Sequence, residues 1–141
     1  MLRKIFFIFV VALLLSSCET SSPKEIAKAE IEEVFEQIRT AYNFGELSGI
    51  MENFHPNFLH NSDDFHAEEI IWEVRLNQYP TLDFGELEID LHNDFATVEF
   101  TLFLDGIEFT EPSSENGDLS YFYSSYNGWI LCGNEFMEEF K

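Results

Sequence analysis

The chain of 141 residues is poor in basic side chains and in cysteine, and none of its apolar runs is long enough to cross a bilayer. Seven Lys and Arg stand against 27 Asp and Glu, a formal net charge of −20. Such a surface repels phosphate backbones and anionic headgroups, which excludes nucleic acid as a partner and lying flat on anionic lipid. Two cysteines, with no CxxC pair and no zinc-ligand spacing, exclude a disulfide scaffold and a zinc module. No metal and no organic cofactor is expected. The longest apolar run, residues 5–15, has eleven residues, where a spanning helix needs about 20. So much charge of one sign would by itself read as disorder, but sixteen Phe, five Tyr and two Trp supply the apolar area for a core.

Arg3 and Lys4 precede the apolar run and Leu15-Ser16-Ser17-Cys18 follows it, the layout of a secretory signal. The ending resembles the lipobox of bacterial lipoproteins, where small residues precede a cysteine that takes up diacylglycerol before the signal is removed. The resemblance implies a signal peptide over residues 1–17, lipidation at Cys18, a tether over residues 18–22 and one domain over residues 23–141. It also implies a protein of the bacterial cell envelope, lipid-anchored in a membrane. Several acyl chains make such an anchor effectively stable. The 124 residues from Cys18 onward suit one domain and carry five basic against 27 acidic side chains. Cys132, in "WILCG" and with no cation near it in sequence, reads as a buried thiol.

After the tether, "SPKEIAKAEIEEVFEQIRTAYNFG" carries the signals of a helix from Pro23 to about Asn43. Ser22 is the N-cap, Pro23 suits the first turn, Glu25 completes a capping box and Gly45 is the stop. Ala27, Ile31, Val34, Phe35, Ile38, Ala41 and Tyr42 recur at spacings of three and four and form its apolar face. "ELSGIMENFH" continues as a short second helix that Pro56 ends, and "NFLHN" leaves room for a short strand. A third helix is expected in "DDFHAEEIIWEVRLNQYP", capped by Asp63 or Asp64, stopped by Pro80, with Ile70, Ile71 and Val74 turned inward. Beyond it the period becomes two. Leu87, Ile89 and Leu91 alternate with Glu86, Glu88 and Asp90, and Ala96, Val98, Phe100, Leu102 and Leu104 alternate with Thr97, Glu99, Thr101 and Phe103. Asp105-Gly106 and Asn127-Gly128 are hairpin turns, residues 110–118 a polar loop, and residues 119–133 two more strands. Helices first, then four or more antiparallel strands, make an α+β layer architecture.

"IRTAYNFGELSGIMENFHPNF", "FATVEFTLFLDG" and "YNGWILCG" together resemble the nuclear transport factor 2-like superfamily, which includes the SnoaL and ketosteroid isomerase-like proteins of cystatin-like fold. The resemblance implies N-terminal helices packed on a curved antiparallel sheet, a cone with an apolar pocket, and members that dimerise through the open sheet face. In the isomerase-like members a tyrosine and a protonated acid hold an oxyanion while an aspartate moves a proton. Their tyrosine position falls here on Ile38, with Tyr42 one turn later. Their base position falls on Ser62, beside Asp63. Their acid position falls within "SYFYSSY", which has no carboxylate. The resemblance therefore implies the cone without that catalytic set.

"NFHPNFLHNSDDFHAEE" concentrates His55, His60 and His66 with four acids. At spacings of five and six, with Pro56 between the first two, no one helix or strand face collects the histidines, so a metal site is not expected. Asp63, Asp64, Glu68 and Glu69 read as a cap and first turn, where carboxylates suit the free N–H groups and the helix dipole. His60, on the short strand, is the one placed to face a pocket. The residues expected to line the cone are Tyr42, Phe58, His60, Trp72, Phe100, Tyr121, Tyr123 and Trp129, suited to an apolar, ring-shaped small ligand. Two functions follow: a non-catalytic ligand-binding or protein-interaction module, or an isomerase, cyclase or hydratase-like enzyme. The enzyme needs a closed apolar pocket with at least two convergent polar side chains.

Overall fold

The computed structural model describes residues 21–109, 119–125 and 128–135. The expected signal peptide, Cys18, the polar loop, Asn127 and the chain beyond residue 135 lie outside these.

Helix α1 (Pro23–Asn43) starts where its cap chemistry dictates. The Ser22 side chain accepts from the Glu25 N–H and the Ser22 N–H donates to the Glu25 carboxylate, the reciprocal capping box. Gly45, at φ 75°, ends it, and the Glu46 N–H returns to the Ala41 carbonyl. Helix α2 (Leu47–Met51) follows, then strands β1 (Leu59–His60) and β2 (Asp63–Asp64), which form a two-residue hairpin about Asn61-Ser62. Helix α3 (Phe65–Gln78) is capped by Asp64, whose carboxylate accepts from the Ala67 N–H at 2.9 Å.

Seven strands remain: β3 (Leu82–Phe84), β4 (Glu88–His92), β5 (Phe95–Glu99), β6 (Leu102–Leu104), β7 (Ile107–Phe109), β8 (Leu119–Ser125) and β9 (Gly128–Gly133). They form two antiparallel ladders, β3-β6-β7 and β4-β5-β8-β9. The long alternating stretch expected as one strand is divided between them. From the pair Phe84↔Leu102 to the pair Glu88↔Glu99 one chain advances four residues and its partner three. That extra residue acts as a bulge and bends the double strand, and it also switches which residues face inward. Leu82 and Phe84 point in before it, Leu87, Ile89 and Leu91 after it. Gly85 sits at the bend, where a Cβ would lie 3.3 Å from both Thr101 Cβ and the Phe103 ring.

The bent sheet wraps α1. Ile31, Val34, Phe35, Ile38, Ala41 and Tyr42 of α1 pack with Ile50 and Met51 of α2 against Ala96, Val98, Leu102, Leu104, Phe122 and Leu131. Asn43 fastens the end of α1 to β3: its amide donates to the Leu82 carbonyl and accepts from the Leu82 N–H. The chain after α2 adds itself to β9 through a parallel bridge, Phe54↔Leu131. Gly133, at φ 90°, is required there, since a Cβ would overlap the Leu59 carbonyl. Cys132 is buried and free, and burial pushes its thiol up to about 12.

Helix α3 departs from expectation. Its inward face is Glu68, Trp72 and Arg75, while Ile70 and Val74 are 48% and 46% exposed. Trp72 carries the helix's largest apolar side chain, and its ring packs against Tyr42 and Phe54 on that face. The two charges that come with it pair, Glu68 Oε1 standing 3.9 Å from Arg75 Nη1.

Candidate functional site

The concave side of the sheet is the place for a site, and aromatic rings fill most of it. Phe35 meets Phe84, Phe100 and Phe122 at centroid distances of 4.9, 5.1 and 5.4 Å. Deeper along the cone, Trp72 contacts Tyr42 at 6.0 Å and Phe54 at 6.2 Å, and Phe54 meets Phe58 at 5.0 Å. The space left is a cavity of about 50 Å³. Phe35, Ile38, Phe54 and Phe84 form one part of its wall, Phe100, Leu102 and Leu131 another, and three polar side chains complete it: His60, Trp72 and Arg75.

Each polar side chain has an identifiable position. His60 stacks on Phe58, ring centroids 6.1 Å apart and planes 14° apart. The Arg75 guanidinium lies between two rings, 4.9 Å from Trp72 and 5.2 Å from Phe109. Such sandwiching favours a partly desolvated cation. The Trp72 indole N–H is buried without a hydrogen-bond acceptor among the described residues.

Of the eight residues expected to line the cone, His60, Trp72 and Phe100 do so. Tyr42 and Phe58 are buried in the core beside the cavity rather than in its wall. The Tyr42 hydroxyl donates to the Tyr79 carbonyl at 2.9 Å, and burial raises its pKa to about 12. Tyr121 and Tyr123 are half-buried and alternate with buried Ser120 and Phe122, so it is Phe122 that enters the core. Trp129 lines a different depression, described below. Ile38, at the superfamily's tyrosine position, is in the cavity wall, whereas Ser62 is exposed and off it.

The three clustered histidines go to three places. His55 Nδ1 accepts from the Asn57 N–H at 3.0 Å in the turn after α2, and burial lowers its pKa. His66, with a side chain 78% exposed, lies 3.4 Å from Glu69. His60 alone of them reaches the cavity. Arg75 and Phe35 were not read as site residues from the sequence. The signal for Arg75 was present, because Glu68, Trp72 and Arg75 recur at spacings of four and three on one helical face.

Outside the cone, an open groove of about 1120 Å³ runs between α1 and the β8–β9 hairpin. Ile26, Val34, Trp129 and Ile130 contribute apolar surface. Six glutamates line it as well: Glu25, Glu30, Glu33, Glu36, Glu46 and Glu52.

No protein-family model and no curated protein sequence matches the chain. Solved structures do match. A nuclear transport factor 2-like family protein from Streptomyces avermitilis, proposed to be a dehydratase, superposes with a TM-score of 0.56 at 12% identity, over 79% of this chain and 95% of that one. A nuclear transport factor 2-like protein of unknown function from Pseudomonas putida gives 0.57 at 14% identity, over 82% and 92%. A protein of unknown function with a cystatin-like fold from Nostoc punctiforme gives 0.55 at 12% identity, over 79% and 89%. The fold is nuclear transport factor 2-like. At these identities the likeness extends to fold and not to activity. The α+β architecture of helices on curved antiparallel sheet is the one the sequence motifs implied.

Proposed function

We propose that this nuclear transport factor 2-like domain is a non-catalytic interaction module, tethered to a membrane of the bacterial cell envelope through a lipid on Cys18. The observation that carries the non-catalytic part is the packed cone. About 50 Å³ remains inside, whereas pockets for small organic ligands span about 300–1,000 Å³. The apolar, ring-shaped ligand suggested by the aromatic content does not fit such a space. The large concavity is on the outside, and its six glutamates with apolar surface between them suit a cationic amphipathic partner, such as a helix with a lysine-bearing edge. The anchor rests on the lipobox-like residues and on a short tether: residue 21 lines the groove and lies three positions from Cys18, about 10 Å of extended chain.

The test uses the purified full chain and two probes. A lysine-bearing amphipathic peptide should bind, more weakly as salt rises and more weakly to a Glu30→Gln/Glu33→Gln variant, Glu36 being already paired with Arg39 at 2.7 Å. A fluorescent steroid-like probe should not bind. Tight binding of the ring probe, with loss of peptide binding, would favour the isomerase, cyclase or hydratase-like alternative, for which the presence of His60 and Arg75 in the wall of one cavity is the supporting observation. Separately, Cys18→Ser should move the protein from the membrane to the soluble fraction, and retention in the membrane would refute the anchor.

A further inference from the structure

We propose that the cavity inside the cone is a binding site for a monoanion of halide or formate size, held by the Trp72 indole N–H with Arg75 and His60 beside it. This site is separate from the outer groove and does not depend on it. Three observations meet here.

The first is the indole. Trp72 is 5% exposed, lines the cavity, and its N–H has no acceptor among the described residues. An indole nitrogen can only donate, so the missing group must be an acceptor. The second is the rest of the wall. Arg75, 7% exposed, also donates only, and the other lining side chains apart from His60 are apolar. A water would bring two hydrogens to a wall whose side chains offer one acceptor at most, a His60 ring nitrogen. An anion brings none. The third is size. A water takes about 30 Å³ in the liquid, so about 50 Å³ admits bromide or formate and little more.

Glu68 sets the selectivity. Its carboxylate stands 3.9 Å from Arg75 Nη1, beyond hydrogen-bond length, and offsets part of the guanidinium charge. The field in the cavity is therefore weakly positive at most, which suits a monoanion and penalises a dianion. Orientation by the indole N–H, rather than net charge, does the holding.

The experiment follows the two indole N–H signals of the full-length protein in detergent by nitrogen-15 NMR. Sodium bromide and sodium formate are titrated separately, with ionic strength held constant by sodium sulfate. The Trp72 signal should shift and saturate with at least one of them, while Trp129, half-buried at the outer groove, stays put. Saturation by bromide alone identifies a halide site, by formate alone a carboxylate site, and by both a general monoanion site. A shift that never saturates, or equal shifts at both indoles, would overturn the proposal. The thermal midpoint supplies a second reading. Trp72→Phe keeps a ring and removes the donor, and it should weaken the anion-dependent rise at least tenfold in half-saturating concentration. An undiminished rise in Trp72→Phe would also overturn it, and if that variant does not fold, the wild-type NMR result decides alone.

Discussion

At the β1–β2 hairpin, two residues hold a conformation their chemistry favours unequally. Asn61 and Ser62 have φ of 51° and 71°, as a two-residue turn with both central positions left-handed requires. Asn tolerates that region and Ser does so less well. Ser62→Gly should therefore raise stability by up to about 1 kcal/mol in urea denaturation, relief of strain outweighing the added chain entropy. A loss would show that the Ser62 hydroxyl, 3.5 Å from the Glu135 carboxylate, contributes more than its long contact suggests. Tyr42 makes a different residue-scale prediction. Burial holds its hydroxyl protonated and raises its pKa from 10.0 to about 12, and burial likewise raises Cys132 from 9.0 to about 12. A group whose folded pKa lies above its unfolded value contributes stability in full below the unfolded value and loses it as pH rises through the folded one. Stability should thus decline from about pH 9 to about pH 12. Tyr42→Phe should flatten that decline and, by deleting the bond to the Tyr79 carbonyl, cost about 1 kcal/mol at neutral pH. Denaturation midpoints measured along a pH series check both.

Helix α3 shows at the element scale what periodicity can and cannot decide. The cap at Asp64 and the end at Gln78 follow from local chemistry and were legible. The face was not, because Ile70, Ile71 and Val74 look like a core stripe while the buried stripe is Glu68, Trp72 and Arg75. The two charges are acceptable inside because Glu68 and Arg75, two turns apart on that face, stand opposite each other, and a reading by hydrophobicity alone passes over a stripe that contains charges. The sheet makes the same point. Alternation gave the inward set of each stretch correctly, yet the bulge between Phe84 and Glu88 reverses parity and divides one expected strand into β5 and β6. Strand β3 was missed because its three residues are too few to show a period. Helix α1 was legible in full, since the capping box, the apolar stripe and Gly45 all agree. The α3 assignment can be checked by mutation. Glu68→Gln neutralises the buried carboxylate that faces Arg75 and should cost about 1–3 kcal/mol. Ile70→Lys and Val74→Lys should each change stability by less than about 0.5 kcal/mol. Comparable losses at Glu68 and Ile70 would mean the helix is rotated from the face described, or that a second copy covers its outer side.

For the whole molecule, the balance of charge sets a cost that no single contact reveals. The chain carries 27 acidic against seven basic side chains, and α1 presents Glu25, Glu30, Glu33 and Glu36 along one groove. Folding brings these carboxylates closer together than they are in the open chain, so repulsion acts against the native state. Salt screens it, the Debye length falling from about 30 Å at 0.01 M to about 10 Å at 0.1 M. The thermal midpoint should therefore rise as sodium sulfate is added from low ionic strength, a salt whose dianion is disfavoured in the cone cavity. Glu30→Gln/Glu33→Gln, which leaves Glu36 in its 2.7 Å pair with Arg39, should melt higher than wild type at low salt and gain less from added salt. Helix propensity does not account for such a gain, because Gln and Glu are nearly equal as helix formers. If the variant melts lower at low salt, those glutamates are held by cationic groups rather than repelling one another. The cationic partner proposed for the groove would then lose its electrostatic basis, while the packed cone would still argue against a ring-sized substrate.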